Sequence, residues 1–447
     1  MVKIFPFKGI SYNKKKIKAI SKVMAPPYDV ISPEFQDELY KQNEFNVIRL
    51  ILGKEFHNDG QYNNRYIRAA AFMNGWLRHK ILLQDEKPCI YIYEQVFTIQ
   101  GKKHSRIGFF SILRLEDIGR GKVYPHEETY SKAKLDRLEI MRATNANLES
   151  IFAFYSDKKD KIIKVIRQFM RKKPYIEAKD KDGTIHRLWK IDRKPAINKI
   201  VLEMKDKPVF IADGHHRYEA ALRYRNELKT KNTKFTEDEA YNHIMVYLTP
   251  LEGTGLTILP IHRAVKNIEY FDGVRFEHEL NQYFDVIHFD VPKKDQAKGR
   301  NKLFKELARL REEGKHAFGI YAGNNRHLII VLRNEESLDE MVAEEKTKAW
   351  KRLDATVLHY VVFERILSIA HETEDHVIYF KDPEEAAKLV DDKKADLVFY
   401  LNPTKIEEIV AVAGELEKMP HKSTYFYPKL LSGLVMNKFS HDEKIKP

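Results

Sequence analysis

The chain has 447 residues, more than one hydrophobic core usually organises, so two or three domains are expected. Apolar residues make up 43% and charged residues 32%, enough to fill cores and coat them, which excludes a disordered chain. Lys and Arg outnumber Asp and Glu by 78 to 65, giving a net charge of +13. The basic residues are scattered: Lys14–Lys16, Arg171–Lys173 and Lys393–Lys394 are short clusters without interleaved aromatic rings, which disfavours a nucleic-acid platform.

No apolar run approaches the roughly 20 residues of a membrane span. Met1–Lys8 lacks the apolar stretch of a secretory leader, so a cytoplasmic location is expected. The lone cysteine, Cys89, allows no intramolecular disulfide and no multi-cysteine metal site, and its setting reads as a buried strand.

In chain order, Tyr66–Leu77 reads as a helix, and Cys89–Phe97 with Ile107–Leu115 as a hairpin rich in β-branched and aromatic residues. Ile151–Tyr155 reads as a buried strand, Lys161–Met170 as a helix and Ile185–Asp192 as an alternating strand. An apolar run, Pro208–Ala212, precedes a helical one, Tyr218–Leu228. Gly255–Leu259 has strand character. Lys302–Leu310 then reads as a helix, and Ala317–Tyr321 and His327–Leu332 as strands. Interleaved strands and helices predict a mixed α/β (α+β) protein. The expected regions are 1–120, 121–266 and 267–447.

Between the run ending at Ala212 and the helix that follows stand Asp213, Gly214, His215, His216 and Arg217. A strand-to-helix corner of this composition suits an anion, because the first helical turn leaves N–H groups without intrahelical partners and carries the positive end of the helix dipole. The competing reading is plain helix capping by Asp213. Adjacent His215 and His216 diverge on a helix, so a shared zinc ion is disfavoured. Upstream, Pro125 places His126, Glu127, Glu128 and Thr129 on a turn or at a helix start, where the acidic residues either do chemistry or complement the helix dipole. Lys422, Ser423 and Thr424 offer an anion-binding turn, with a structural turn as the alternative. No Gly-x-x-x-x-Gly-Lys-[Ser/Thr] loop occurs, and neither Gly119/Gly121 nor Gly253/Gly255 completes a dinucleotide fingerprint.

The Pro125-His-Glu-Glu segment, followed later by an apolar strand and Asp213-Gly-His-His-Arg-Tyr-Glu-Ala220, resembles the signature of the ParB/sulfiredoxin-like fold in the branch of free serine kinases. The whole chain resembles the domain of unknown function 1015 (DUF1015) family, through Ala25–Ser32, Asn46–Leu50, Pro125–Glu127, Asp213–Arg217, Leu259–Arg263 and Met419–Lys429. The resemblance implies a ParB/sulfiredoxin-like core with added N- and C-terminal α/β regions, and a kinase that uses ATP or ADP with Mg²⁺ to phosphorylate free L-serine or a similar small hydroxy compound. It implies Glu127 as the base, Asp213 and His215 as catalytic groups with Asp213 holding Mg²⁺ directly or through water, and Gly214, His216 and Arg217 on the nucleotide, with the Lys422–Thr424 turn reaching the same place. It also implies His126, His262 and Arg263 at the substrate, whose carboxylate Arg263 would grip, with a plain surface pair as the alternative for His262 and Arg263. Asp29, Asn46 and Arg49 share the family pattern without a derivable role. The alternative is a ParB-like nucleotide-binding regulator that binds DNA, which should carry a basic helix-turn-helix that the sequence does not display. A sulfiredoxin-like repair enzyme should place a reactive cysteine at the phosphate corner, and Cys89 is far upstream.

Overall fold

The computed structural model describes residues 1–291, 296–370, 372–373 and 375–445, and they form a mixed α/β protein. Its contacts divide the chain into two units: Met1–Thr257 joined by the residues from Pro428 onward, and Ile258–Tyr427.

The first unit is built on one large sheet of β1 (Ile4–Phe5), β2 (Ile90–Ile99), β3 (Lys102–Arg114), β4 (Val123–Tyr124), β5 (Ile151–Tyr155), β6 (Ile176–Lys179), β7 (Ile185–Ile191), β8 (Val209–Asp213) and β9 (His243–Pro250). Their order is β4-β8-β5-β9-β3-β2-β7-β6, with β1 beside β3. The expected hairpin is present as β2 and β3, with Tyr91 opposite Phe110 and Ile99 opposite Lys102. Every residue of β5, β8 and β9 is buried, as their nearly continuous apolar runs require. The parallel pairs β8–β4 and β9–β5 are the ones that position the site: Phe210 stands opposite Tyr124, so the end of β4 delivers Pro125 beside the end of β8.

Helices α1 (Arg65–Arg78), α2 (Ser131–Thr144), α3 (Lys161–Met170), α4 (Lys194–Met204) and α5 (His215–Lys231) accompany this sheet. The α3 helix has the bounds its apolar periodicity suggests, and Ile162, Ile163, Val165 and Ile166 are buried. Residues beyond Pro428 pair back into the unit, with Ser432 bridging Ala25, Met436 bridging Ile10, and Asn437 opposite Asn147.

The second unit carries an antiparallel sheet of β10 (His262–Val265), β11 (Phe284–Asp290), β12 (Ala317–Tyr321), β13 (Arg326–Leu332), β14 (Val377–Phe380) and β15 (Leu397–Tyr400), ordered β11-β13-β12-β15-β10-β14. Alternate residues feed two cores. Leu328, Ile330 and Leu332 pack in one with Leu358 and Val361, and Ile329 and Val331 in the other with Leu303 and Leu307. The Gly255–Leu259 run forms a strand only at Thr257–Ile258.

Candidate active site

The corner between β8 and α5 is made by Gly214, whose φ of 91° lies in the left-handed region. A Cβ there would come within 2.9 Å of the Arg217 guanidinium, so both backbone and neighbour call for glycine. Gly214 occupies the cap position of α5, and Asp213 stands one residue before it. Arg217 Nη2 donates to Asp213 Oδ2 at 2.6 Å, and Lys429 Nζ pairs with Oδ1. Burial by itself would raise the Asp213 carboxyl, but Lys429 and then Arg217 outweigh it and hold the carboxyl below its usual range.

Glu127 arrives from the β4 side. Helix α2 starts only at Ser131, so Pro125–Thr129 form a loop rather than a first helical turn. Two imidazoles tie that loop to α5. The main-chain N–H of His126 donates to His215 Nε2 at 3.3 Å, and that of Tyr130 donates to His216 Nε2 at 3.0 Å. The other ring nitrogen of His215, Nδ1, lies 3.1 Å from Glu127 Oε2. Burial would push the Glu127 carboxyl up, yet His215 overrides this and keeps it well below the ordinary range. The Glu127 side chain as a whole remains 35% exposed. His126 itself is fully buried, edge-on to the His215 ring, and burial drops its imidazole to about 3. Thr129 Oγ1 from the loop and Lys134 Nζ from α2 both donate to Glu219 Oε2 on α5.

Behind the corner lies a charged network. Arg217 also donates to the Ser150 carbonyl, and Arg137 Nη1 donates to Glu149 Oε2 at 3.0 Å while its guanidinium stacks 3.7 Å from the Tyr28 ring centre. The Tyr28 N–H donates to Glu149 Oε1, and the charge of its neighbour Asp29 acts on Arg217 and His216. Asn46 and Arg49 are engaged with nearby main chain: Asn46 with the carbonyls of Lys22 and Met24, Arg49 with those of Glu44 and Tyr40.

The structure thus brings His126, Glu127, Asp213, Gly214, His215, His216 and Arg217 together in the first unit. His262, Arg263 and Lys422–Thr424 belong to the second. There His262 is buried between Phe304 and Tyr400 and accepts the Leu401 N–H, while buried Arg263 donates to the Ile261 carbonyl and stands 3.6 Å from Glu372. Arg263 Nη2 lies 3.5 Å from the Lys422 carbonyl, and the Ser423 carbonyl accepts from Thr404.

Tyr28 and Lys429 stand in the Ala25–Ser32 and Met419–Lys429 motifs without an expected role, Arg137 follows the Pro125 loop in a stretch that reads equally as surface, and Glu149 offers no signal in the sequence. Among the described residues no group of three or more His, Cys, Asp or Glu side chains is arranged to hold a metal ion. Both Asp213 oxygens face cationic partners, so the donor set does not fit direct Mg²⁺ ligation by that carboxylate. Among the described residues no helix is long and apolar enough to cross a membrane.

Residues 4–356 match the model of the family described as protein of unknown function (DUF1015). The chain belongs to the DUF1015 family. No curated protein matches it. Solved structures similar to this DUF1015 chain include a conserved hypothetical protein from Pyrococcus furiosus, 15% identical, with 68% of this chain and 87% of that one covered and a TM-score of 0.29. A free serine kinase in complex with AMP is 14% identical, with 68% and 83% covered and a TM-score of 0.31. SbnI with a C-terminal truncation, from Staphylococcus aureus, is 11% identical, with 70% and 82% covered and a TM-score of 0.31.

Proposed function

We propose that this DUF1015 protein is a small-molecule kinase, transferring a phosphoryl group from ATP or ADP to the hydroxyl of free L-serine or a similar hydroxy compound. The observation that carries the reading is the 3.1 Å approach of His215 Nδ1 to Glu127 Oε2, with the Pro125-His-Glu motif and the Asp213–Arg217 motif meeting at a strand-to-helix corner. Both motifs resemble those of ParB/sulfiredoxin-like free serine kinases, and their convergence gives a carboxylate and an anion-seeking helix start in one place.

In this reading the acceptor oxygen forms a bond to the terminal phosphorus. The bridging P–O bond of the nucleotide breaks and takes its electron pair, and the hydroxyl proton passes to Glu127. His215 aims and stabilises that carboxylate from its Nδ1 side. A carboxylate of low basicity suffices, because the transition state is loose and proton transfer runs late. The first-turn amides of α5 face the phosphates, aided by the helix dipole. Arg217, committed to Asp213 and Ser150, acts from behind as an orienting group. The Mg²⁺ requirement belongs to the same proposal in the form of an ion carried on the nucleotide phosphates, and no step is assigned to an ion on Asp213. His126 is assigned to the substrate by motif resemblance.

The test incubates purified protein with L-serine, Mg²⁺ and ATP or ADP in turn and measures O-phosphoserine. Turnover with one nucleotide supports the proposal. Absence of product with both removes serine as the acceptor.

A further inference from the structure

The residues that return to the first unit after Pro428 bring a cation to the site that neither motif contains. Lys429 Nζ pairs with Asp213 Oδ1, at the residue that precedes Gly214 and the first amides of α5, and its charge is felt at Glu127 as well. This lysine is not carried on a loose tail. Arg106 donates to the Pro428 carbonyl, Gln95 Nε2 donates to the Lys429 carbonyl at 2.8 Å, and the Leu431 N–H donates to the Tyr93 hydroxyl at 3.3 Å. Arg106, Gln95 and Tyr93 are themselves buried. Behind Tyr93 the line continues: its hydroxyl is 2.6 Å from His186 Nδ1, and His186 Nε2 is 3.0 Å from Asp180 Oδ2.

Burying a guanidinium, an amide, a phenol and an imidazole is unfavourable unless each finds partners; Arg106, Gln95 and Tyr93 find them on the main chain of Pro428–Leu431, and the His186 imidazole finds Tyr93 and Asp180. The result is a fixed backbone on either side of one side chain. An ordinary surface ion pair needs no such support, since two exposed charges meet with little net effect. Fixed support behind a single charged group is the arrangement a working site requires.

We infer that Lys429 is a further catalytic residue, an ammonium that donates to the non-bridging oxygens of the phosphoryl group in flight, with Asp213 as the carboxylate that aims it. The inference rests on the kinase reading of the same site. Negative charge spreads over those oxygens in the transition state, and a compact ammonium is suited to meet it. Lys429 keeps its protons throughout. The bond made is acceptor oxygen to phosphorus, the bond broken is the nucleotide's bridging P–O, and the hydroxyl proton goes to Glu127. The Asp180–His186–Tyr93 line and the Arg106–Gln95 pair are positioning residues for the segment.

The experiment uses the full chain, L-serine and whichever nucleotide supports turnover. Lys429→Met is expected to lower kcat about 10²- to 10³-fold, the loss typical of removing one transition-state donor, with nucleotide affinity by calorimetry changed much less. Lys429→Arg is expected to recover part of the rate, and ethylammonium is expected to restore Lys429→Ala saturably, which a merely structural lysine would not allow. Full activity in Lys429→Met while Glu127→Gln is inactive overturns the Lys429 assignment alone. So does an inactive Lys429→Ala that neither ethylammonium nor the Arg variant rescues. No turnover by the unsubstituted chain with either nucleotide overturns the kinase reading and this inference together.

Discussion

Glu127 shows how neighbours decide what a carboxyl can do. Burial works against its charge, and the Nδ1 side of His215 at 3.1 Å more than compensates, so the group is ionised from well below its ordinary value of 4.5 upward. Glu127→Gln keeps size and polarity but cannot take a proton. Its kcat is expected to fall about 10²- to 10⁴-fold, with nucleotide affinity within a few-fold, measured by O-phosphoserine formation and calorimetry. Retention of full turnover would remove Glu127 from the base role. The same ionisation sets a pH expectation. Since the folded pKa is depressed, protonation of Glu127 begins only below its ordinary range, and kcat/KM should show no acidic limb from this group between pH 5 and 8. A limb in that interval with a carboxylate signature in the buffer enthalpy of ionisation would contradict the assignment.

At the scale of elements, the corner depends on one glycine and two imidazoles. Gly214→Ala forces a side chain into the left-handed region, at a cost of about 1–2 kcal/mol, and pushes its Cβ toward Arg217. The expected outcome is a lower unfolding midpoint together with lost activity. An unchanged midpoint would mean that the corner is not held as described. His216→Phe removes the acceptor of the Tyr130 N–H while keeping a ring beside the Tyr130 ring, so the Tyr130 amide is expected to exchange hydrogen faster than in the parent chain. Undiminished protection would argue against the tie. Much of this scale was legible in the sequence. The period of Lys161–Met170 and the apolar run of Ile151–Tyr155 are local signals, and the observed elements have those bounds. The Asp213–Arg217 corner was legible as a break between two such signals. Plain capping by Asp213 was a rival reading of the same residues, because only Arg217 and the distant Lys429 decide where that carboxylate points. Lys429 could not be paired with Asp213 by any periodicity. Contacts across so many residues leave no local trace, and nothing local to Tyr93, Gln95, Arg106 or His186 tells that they hold a distant segment.

Across the whole molecule, the buried imidazoles outweigh the site carboxylates in setting acid stability. Burial lowers His126 in the first unit to about 3, and lowers His262 in the second to about 3, from an ordinary 6.5. For a base whose folded pKa is depressed, the unfolded chain takes the proton first. The stabilising contribution is therefore whole above about 6.5 and declines as pH falls from there toward 3. The depressed carboxyls of Asp213 and Glu127 act later, since their contribution stays intact above their ordinary values of 3.8 and 4.5 and is lost only as pH falls further. In the interval from 6.5 to 4.5 the depressed histidines lower stability as pH falls, while the raised His316, Glu149 and Glu408 act in the opposite sense. Each deeply buried histidine of lowered pKa can cost up to about 1.4 kcal/mol per pH unit there. Urea unfolding at pH 7, 6 and 5 is expected to show midpoints falling with pH. His262→Gln can retain an acceptor for the Leu401 N–H and removes one titrating group, so its midpoint should fall less steeply than the parent's over the same interval. Parallel slopes for the two chains would mean that His262 takes up its proton in the folded state as readily as in the unfolded one, and that its enclosure by Phe304 and Tyr400 does not exclude charge.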